Sequence, residues 1–335
     1  MSEVDKEAED RELEPVPMPG EKTRRISWRG ISFLVPANWE IGLFKFLKKG
    51  GNRIELEDEY ATRLEAEWIY PKEKIDRKIV EKRYKKKFKK LTDYSDKENR
   101  ISDLPTDWYA TSFELRHGKL GTGETTLMQK KQQLLTAFYI PSDNSIFISI
   151  VVHIFAEDAE NPADVVKLIS SEFQIHNKDA LIPWELYDMY FKMPKELQLD
   201  STQFDIGSKL MLYRWKMRTL YLWHFSLADH FIDDEKTAEE YGTGFLNSMS
   251  FVRAVTFSPG LDGEITWKRK RWHVFGRRDE FACMCFKYKA AVVHDKEENK
   301  LILICYHYRK NKDLKLLNDF IEANPYLASA KKLLR

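Results

Sequence analysis

Three cysteines and a histidine near the C-terminal end of the chain are residue types that bind zinc. Cys283 and Cys285 lie two positions apart, as do Cys305 and His307. On β-strands this spacing places both members of a pair on one face of a sheet, and three cysteines with one histidine form a known zinc ligand set. Structural zinc sites, however, usually hold their paired cysteines on turns, and free cysteine is among the most buried residue types. We therefore expect buried cysteines here, and predict neither a metal nor another cofactor.

A second group of candidate ligands or acid–base residues follows Trp223. Histidine and carboxylate side chains close together can bind a metal or transfer protons. Nothing in the pattern fixes a third ligand, so a strand that ends in a polar loop is the favoured interpretation. The group contains His224, Asp229, His230, Asp233 and Asp234.

A glycine-rich segment, residues 118–126, lacks the spacing of a phosphate-binding loop and fits a hairpin loop between two strands better. The chain carries none of the catalytic signatures that we sought, among them the Gly-x-Ser-x-Gly and His-Glu-x-x-His motifs. We therefore predict that the protein is not an enzyme and has no catalytic residues.

Two clusters of cations have the residue types that contact nucleic acid. Residues 72–90 hold eleven Lys or Arg, and residues 267–278 combine six cations with Trp267 and Trp272. Cations neutralise phosphates and aromatic rings stack on bases. For the first cluster we favour a solvated helix face; for the second, core tryptophans on a strand pair and a binding surface both stay open. The predicted contacts with nucleic acid or an acidic partner are Lys82, Arg83, Lys86, Arg269, Arg271 and Arg277.

The bulk composition predicts two folded domains inside the cell. The chain has 335 residues, of which 43% are hydrophobic and 32% charged, and a single core rarely grows beyond about 250–300 residues. A net charge of +2 does not by itself require a nucleic-acid or membrane partner. We found no apolar run of membrane-spanning length and no secretory signal. Three cysteines give no disulfide framework, and we predict a cytoplasmic protein without a membrane partner.

The composition of the first 24 residues predicts a disordered tail. Seven of the first fourteen residues are acidic, and Pro15, Pro17 and Pro19 follow. Residues 3–14 could fold back on the basic cluster at residues 72–90 or occupy a basic groove of a partner, but a solvated terminus is the simpler interpretation.

The order of predicted elements occurs twice, at offsets of about 154 to 158 residues. Two alternating runs that end in Trp68 and Trp223 each predict a strand hairpin. Helices are predicted next, over residues 74–91 and 237–255. Further hairpins then turn at residues 141–144 and 295–299, and a helix with an apolar stripe closes each half. The alternative is two unrelated domains.

The start of the first half resembles a known family. Phe33-Leu34-Val35-Pro36 followed by Trp39 resembles the opening of PsbP-like domains, which include the Mog-type Ran-binding proteins and the DcrB-like lipoproteins. The resemblance covers about residues 26–177 and, more faintly, residues 186–325, where Leu197 replaces the Trp. It implies an antiparallel sheet between helices and no shared catalytic residues, and members of the family mostly bind or assemble other proteins.

We therefore predict an α+β fold made of two tandem copies of an antiparallel sheet covered by helices, an α/β/α sandwich. The copies are expected at residues 25–178 and 179–335, after the tail at residues 1–24. The predicted function is a non-catalytic protein-binding or assembly module with a protein partner. The alternative is a nucleic-acid or ribonucleoprotein binder that uses residues 72–90 and 267–278.

Overall fold

The structure is a computed structural model, and its elements fall into two compact units. It describes residues 23–47, 50–72, 75–76, 78, 80, 82, 95–115, 131–143, 145–155, 158, 161–232, 236–249, 255–269 and 286–327. The first unit is Met1–Ile175 with Glu185–Asp188, and the second is His176–Trp184 with Met189–Arg335. In the part of the chain that is described, no helix is long and apolar enough to cross a membrane.

The first unit contains ten strands and one helix with defined bounds among its described residues, and Lys78, Val80 and Lys82 are also helical. The elements with defined bounds are β1 (Thr23–Trp28), β2 (Ile31–Pro36), β3 (Glu40–Phe46), β4 (Asn52–Glu57), β5 (Thr62–Ile69), β6 (Ser95–Ile101), β7 (Trp108–Leu115), β8 (Lys131–Tyr139), β9 (Phe147–Phe155), α1 (Pro162–Ser171) and β10 (Gln174–Ile175).

The second unit adds nine strands and two helices of at least nine residues among its described residues. They are β11 (Leu181–Leu186), β12 (Met189–Pro194), β13 (Gln198–Asp205), β14 (Ser208–Trp215), β15 (Arg218–Ser226), α2 (Ala238–Ser248), β16 (Val255–Pro259), β17 (Glu264–Arg269), β18 (Lys287–Asp295), β19 (Lys300–Tyr308) and α3 (Leu314–Glu322). The tip of the β11–β12 hairpin counts with the first unit.

The strands form three antiparallel sheets. The seven-stranded sheet of the first unit has the order β3-β4-β5-β9-β8-β7-β6, and that of the second unit has the order β13-β14-β15-β19-β18-β17-β16. A five-stranded sheet has the order β10-β2-β1-β11-β12. The two large sheets therefore share one strand order. In each unit the chain forms three neighbouring strands, crosses to the far edge of the sheet, and returns strand by strand until it pairs with the third strand.

The central strand pairs also share one register. Leu64 of β5 pairs with Val152 of β9, and Thr219 of β15 pairs with His307 of β19. Both members of the second pair lie 155 positions after their counterparts in the first pair. A slip of one residue would turn every side chain of a strand to the other face. Because the registers agree, residues at equivalent positions of these strands lie on the same face of the sheet in both units.

Alternating hydrophobicity explains why these segments are strands. In β5 the side chains of Leu64, Ala66 and Trp68 are buried, whereas Glu65 and Glu67 between them are partly exposed. This period of two matches the pleat of a strand. In the second unit β19 is buried along almost its whole length, as expected for a strand at the centre of a sheet whose two faces are both covered.

Two of the three helices with defined bounds in the described part of the chain begin at well-formed side-chain caps. The Asn161 side chain accepts a hydrogen bond from the amide of Ala163 at the start of α1, and Thr237 and Glu240 form a capping box at the start of α2. Gly242 allows α2 to approach the sheet, since a Cβ at this position would lie 3.0 Å from Ile265 Cδ1. Helix α2 ends at Ser248 instead of continuing to residue 255 as predicted, because Met249 is extended.

A buried arginine–aspartate ion pair lies at the same end of both large sheets. Arg63 at the start of β5 donates to Asp58 in the preceding turn and to Asp158 after β9. Arg218 at the start of β15 donates to Asp313 after β19. Arg63 and Arg218 lie 155 positions apart, as do Asp158 and Asp313. Each pair thus fixes a central strand to the segment that leads into the last helix of its unit.

The predicted fold class is wrong. The structure is mainly β, with three antiparallel sheets, and is not a pair of helix-covered α/β/α sandwiches. The Phe33-Leu34-Val35-Pro36 segment lies in the five-stranded sheet, where β2 pairs with β1 and β10, instead of opening the main sheet. Much of the chain between the predicted helices forms strands, for example β11, β12 and β13. The helix predicted over residues 74–91 lies mostly outside the described residues, and of those that are described Lys78, Val80 and Lys82 are helical.

Removal of one member of a buried ion pair should destabilise the fold strongly. In Arg218→Met, Asp313, which is only 4% exposed, would lose its cation, and we expect a loss of about 3–5 kcal/mol in the free energy of unfolding by urea. The matched control is Arg214→Met, because Arg214 pairs with Asp200 on the surface and should lose less than about 1 kcal/mol. Equal losses for the two variants would contradict a special role for the buried pair.

Candidate functional site

The first unit contains an acidic cleft. Its volume is about 670 Å³, within the range of ligand-binding pockets. It is formed at the start of β3, at the β4–β5 turn and at the tip of the β11–β12 hairpin. The lining residues are Asn38, Glu40, Ile41, Gly42, Glu57, Asp58, Glu59, Tyr60 and Tyr187.

Tyr187 closes one side of the acidic cleft. It has a left-handed backbone conformation with φ 51°, its hydroxyl donates to the carbonyl oxygen of Ile41, and its own carbonyl oxygen accepts from Arg24. Arg24 also donates to Glu40 over 2.9 Å. Burial raises the pKa of Tyr187, and the negative charges of Glu40 and Glu57 raise it further. Tyr187 therefore stays a neutral hydrogen-bonding group at physiological pH.

Gly42 leaves room for a carboxylate in the acidic cleft. The register of β3 against β4 shifts between Ile41 and Leu43, which marks a β-bulge at this glycine. A Cβ at position 42 would lie 2.2 Å from Glu57 Cδ and 2.4 Å from Glu57 Oε2. Any other residue at position 42 would displace the Glu57 side chain from its present position.

Asp58 shapes the turn on the other side of the acidic cleft. Its Oδ1 accepts hydrogen bonds from the amides of Tyr60, at 2.8 Å, and Ala61, at 2.9 Å, while Oδ2 accepts from Arg63. Burial alone raises the pKa of Asp58, but the two amide hydrogen bonds and Arg63 outweigh it and hold the pKa below its usual range. The Arg63 guanidinium also lies over the Phe155 ring, 4.9 Å from its centroid. Asp58 is therefore a structural carboxylate that is already neutralised.

Two other carboxylates remain available to a ligand. Glu57 and Glu59 are exposed, and in the described part of the chain neither forms an ion pair. The Tyr60 ring beside them is 74% exposed. Carboxylates form short, strong hydrogen bonds with guanidinium and ammonium groups, and an aromatic face attracts the same cations. The acidic cleft is thus suited to the side chains of Arg and Lys.

Two of the six predicted contacts with nucleic acid lie among the described residues, one in each unit. Lys82 is exposed. Arg269 is exposed at the end of β17, where its Nη2 donates to the carbonyl oxygen of Phe286 over 3.1 Å. The other four predicted contacts, Arg83, Lys86, Arg271 and Arg277, lie outside the described residues. The six-residue contact surface stays a prediction.

Of the four candidate zinc ligands, Cys305 and His307 lie among the described residues. Cys305 is fully buried between Ala290 and Tyr221 on the neighbouring strands, and burial raises the pKa of its thiol, which disfavours the thiolate that metals bind. The His307 ring stacks on Tyr288, with 5.0 Å between centroids. Cys283 and Cys285 lie outside the described residues. Within the described ranges, no three His, Cys, Asp or Glu side chains form a group that could hold a metal ion.

The histidine and aspartate group after Trp223 is divided between core and surface. His224 is 5% exposed in β15, where it pairs with Ile302. Asp229 and His230 lie in an exposed 3₁₀ turn, in which Asp229 accepts a hydrogen bond from Asn299 over 2.6 Å. Asp233 and Asp234 lie outside the described residues. The described members of this group do not converge on a site.

The acidic cleft was not predicted from the sequence. Its local signal is the run Glu57-Asp58-Glu59 before Tyr60, whereas the predicted sites rested on cationic clusters and catalytic motifs. The contribution of Tyr187 has no such signal, because this residue lies more than a hundred positions away in the sequence and is brought in by the β11–β12 hairpin.

Comparisons with known proteins found only limited structural similarity to this chain. No family model matches the chain, and no curated protein matches it. Among solved structures, the Ran-binding protein Mog1p of Saccharomyces cerevisiae aligns with 47% of this chain and 96% of its own, at 14% identity and a TM-score of 0.30. A Mog1 point mutant gives the same identity and TM-score. The di-domain ARO/CYC protein StfQ of steffimycin biosynthesis aligns with 97% of this chain at 9% identity and a TM-score of 0.15.

These values assign no family to the chain, and the PsbP-like resemblance stays a prediction. The alignment with Mog1p spans about half of this chain but nearly all of Mog1p. The geometry of the acidic cleft is therefore the basis for the functional proposal.

The lowered pKa of Asp58 predicts a contribution to stability that depends on pH. An aspartate whose pKa is depressed by folding stabilises the folded state above its unfolded pKa, near 4, and this contribution disappears as the pH falls through the lower folded value. Asp58→Asn should therefore unfold more readily than the unmodified chain at pH 7, and the difference should shrink below about pH 4. Thermal unfolding between pH 2 and pH 7 measures it.

The control for this measurement is Glu59→Gln, because Glu59 is exposed next to Asp58. It should change the unfolding temperature little at any pH. A constant difference between Asp58→Asn and the unmodified chain over the whole pH range would show that the ionised form of Asp58 is not stabilised by the turn.

Proposed function

We propose that the chain is a non-catalytic protein-binding module made of two copies of one domain, at residues 25–178 and 179–335, and that the first compact unit, which includes the hairpin tip with Tyr187, binds a cationic segment of its protein partner in the acidic cleft. The observation that carries this proposal is the pair of exposed carboxylates, Glu57 and Glu59, beside the exposed ring of Tyr60. The proposal places the protein in the cytoplasm, as the sequence predicts.

The proposed duplication has support from topology, register and burial. The two large sheets have the same strand order, and their central strands pair in the same register at an offset of 155 positions. The buried pairs Arg63–Asp158 and Arg218–Asp313 repeat at the same offset. Unrelated domains with one topology would have no reason to keep the same ion pair at the same offset.

A binding role fits the acidic cleft better than a catalytic one. Catalytic acids and bases need a pKa near the working pH, whereas folding lowers the pKa of Asp58 and raises that of Tyr187, away from neutrality in both cases. The buried groups of the acidic cleft are held by hydrogen bonds, and its exposed groups are carboxylates and an aromatic ring. Such a surface recognises charge and shape.

A cationic partner follows from the chemistry of the lining. Glu40 and Asp58 are already paired with Arg24 and Arg63, so the net negative charge comes from Glu57 and Glu59. An acidic ligand such as nucleic acid would be repelled from this cleft. The nucleic-acid alternative gains no support from the described residues.

Binding of an arginine-rich peptide tests the proposal. The probe is a twelve-residue peptide of alternating Arg and Gly, and isothermal titration at low salt measures its affinity. We expect Glu57→Gln combined with Glu59→Gln to weaken binding about 5- to 30-fold, because two exposed charge pairs together contribute about 1–2 kcal/mol. Tyr60→Ala should weaken it about three- to fivefold through loss of the cation–aromatic contact.

The matched control carries the same change in net charge on another surface. Glu297→Gln combined with Glu298→Gln alters two exposed acids in the β18–β19 turn and should leave the affinity unchanged. Equal weakening in both double variants would mean that the peptide responds to net charge only, and the acidic cleft would then not be its site.

A further inference from the structure

One end of the large sheet in the second unit carries exposed apolar side chains on three separate connections. Ile206 lies in the β13–β14 turn and is fully exposed, and Leu227 follows β15 and is 55% exposed. Leu261 lies in the β16–β17 turn and is 82% exposed. A single exposed apolar residue is common, but the turns of a sheet normally carry polar residues, glycine or proline. We call the surface that these three residues form the apolar end.

A backbone hydrogen bond places Ile206 and Leu227 beside each other. The amide of Ser226, which precedes Leu227, donates to the carbonyl oxygen of Gly207, which follows Ile206, over 3.0 Å. The two apolar side chains therefore project from neighbouring segments at the same end of β14 and β15.

Leu261 lies further along the same end of the sheet. The amide of Val292 in β18 donates to the carbonyl oxygen of Gly263 in the Leu261 turn over 2.8 Å, and Val292 lies three positions before the last residue of β18. Strands β14 and β17 are four places apart in the sheet, which corresponds to about 19 Å. The apolar end is therefore an elongated surface.

Hydrogen bonds to Asn299 hold the segment after Leu227 in place. The carbonyl oxygen of Asn299 accepts from the amide of Ala228 over 2.9 Å. The Asn299 side chain accepts from the amide of Asp229 over 3.0 Å and donates to the Asp229 carboxylate over 2.6 Å. Because this segment is already ordered, less entropy is lost when a ligand binds to it.

Leu227 has a backbone conformation that disfavours leucine. Its φ of 61° and ψ of 56° are left-handed, a conformation that glycine and asparagine adopt at a lower cost in free energy. At the offset of 155 positions the first unit has Lys72, which is also exposed. Neither packing nor backbone conformation requires a leucine at position 227, and strain of this kind is typical of functional sites.

Acidic residues surround the apolar end. Each of its three apolar residues has an exposed aspartate one or two positions away, namely Asp205, Asp229 and Asp262. The four segments at this end of the sheet hold six acidic residues and three lysines. They are residues 205–209, 226–230, 260–263 and 294–300. The apolar end therefore lies in a surface of net negative charge.

This combination favours a partner that is both apolar and cationic. Anionic lipids would be repelled by the carboxylates, and a second copy that presented the same end would bring like charges together. A helix with an apolar stripe between cationic flanks has both features. About 13 residues of helix span about 19 Å, so a short helix covers the distance from Ile206 to Leu261.

We infer that the apolar end of the second unit binds a cationic amphipathic helix of a protein partner. Ile206 and Leu227 contact one end of the apolar stripe of this helix and Leu261 contacts the other, while the cations beside the stripe pair with the surrounding carboxylates. The acidic cleft belongs to the other unit and has no comparable set of apolar residues. The inference therefore does not rest on the function proposed for the acidic cleft.

Binding of a designed helical peptide tests the inference. The probe is a fourteen-residue peptide of leucine and lysine in which all leucines share one helix face, and the control peptide has the same composition with its leucines distributed around the helix. Every protein variant carries Glu57→Gln and Glu59→Gln, which removes the free charges of the acidic cleft from the measurement. By fluorescence anisotropy at physiological salt, we expect the labelled probe to bind at least ten times more tightly than the control peptide.

Substitutions of the apolar residues locate the binding surface. Ile206→Ser combined with Leu227→Asn should weaken probe binding at least tenfold, and Leu261→Ser alone should weaken it about three- to fivefold, because each removes apolar area that the complex buries. The matched control, Tyr190→Ser combined with Met217→Ser, removes two exposed apolar residues elsewhere in the second unit. It should change the affinity less than twofold.

Thermal unfolding separates a lost contact from a lost fold. Ile206→Ser and Leu261→Ser should leave the unfolding temperature unchanged, because both side chains are exposed. Leu227→Asn should raise it slightly, because asparagine adopts the left-handed conformation more readily than leucine. Weaker binding together with an equal or higher unfolding temperature would show that these residues contact the probe.

Several outcomes would overturn the inference. The probe and the control peptide could bind equally well, the two double variants could lose the same affinity, or Leu261→Ser could leave the affinity unchanged. Tighter binding of phosphatidylserine vesicles than of the probe through Ile206 and Leu227 would assign the apolar end to a membrane. A dimer that the double substitution of Ile206 and Leu227 abolishes would assign it to a second copy of the chain.

Discussion

A largely buried arginine at the start of β5 and another at the start of β15 join separate parts of each unit. Arg63 connects the β4–β5 turn, through Asp58, to the segment before α1, through Asp158. Arg218 connects β15 to the segment before α3 through Asp313, whose backbone carbonyl also accepts from the hydroxyl of Tyr306 in β19. Since a buried charge without its partner costs several kcal/mol, each connection must form whenever the unit folds. The positions of the turn and of the last helix relative to the sheet depend on it.

The same constraint orders the β4–β5 turn of the first unit. Asp58 in this turn is held by Arg63 and by the amides of Tyr60 and Ala61, so the turn keeps Glu59 and Tyr60 in place at the surface. In the second unit the corresponding ion pair joins Arg218 to Asp313 and includes no residue of the β14–β15 turn. Loops on a rigid scaffold commonly carry binding functions.

The sequence predicted the hairpins well because their signal is local. Alternation around Trp68 and Trp223, and turn residues at 141–144 and 295–299, correspond to β4–β5, β14–β15, β8–β9 and β18–β19. The apolar stripe of Leu317, Phe320 and Ile321 lies on the buried face of α3. The fold class could not be predicted in the same way, because the five-stranded sheet joins β1 and β2 to strands more than 130 positions later, and no local pattern specifies that pairing. The acidic cleft depends on the same distant hairpin through Tyr187.

The ion pair that occurs in both units has a signal in the sequence. The predicted offset, which ranged from about 154 to 158 residues, did not reveal it. Arg63, Trp68 and Asp158 recur as Arg218, Trp223 and Asp313 at the single offset of 155. Loop lengths differ elsewhere, since the apolar residues of α1 and α3 recur at an offset of 152. Residues under one geometric constraint keep one offset, whereas turns and helices between them accept insertions. Charged residues that recur at one constant offset are therefore a signal of a buried pair that the amino-acid sequence itself contains.

Weak individual contacts limit what the acidic cleft could hold by charge alone. Exposed ion pairs stabilise a complex by at most about 1 kcal/mol each and are screened by salt. Glu57 and Glu59 are exposed, so ion pairs with them would contribute little by themselves. The hydrogen bonds of Asp58 and Tyr187 hold the lining in place, and a lining that is already ordered loses less entropy when a ligand binds.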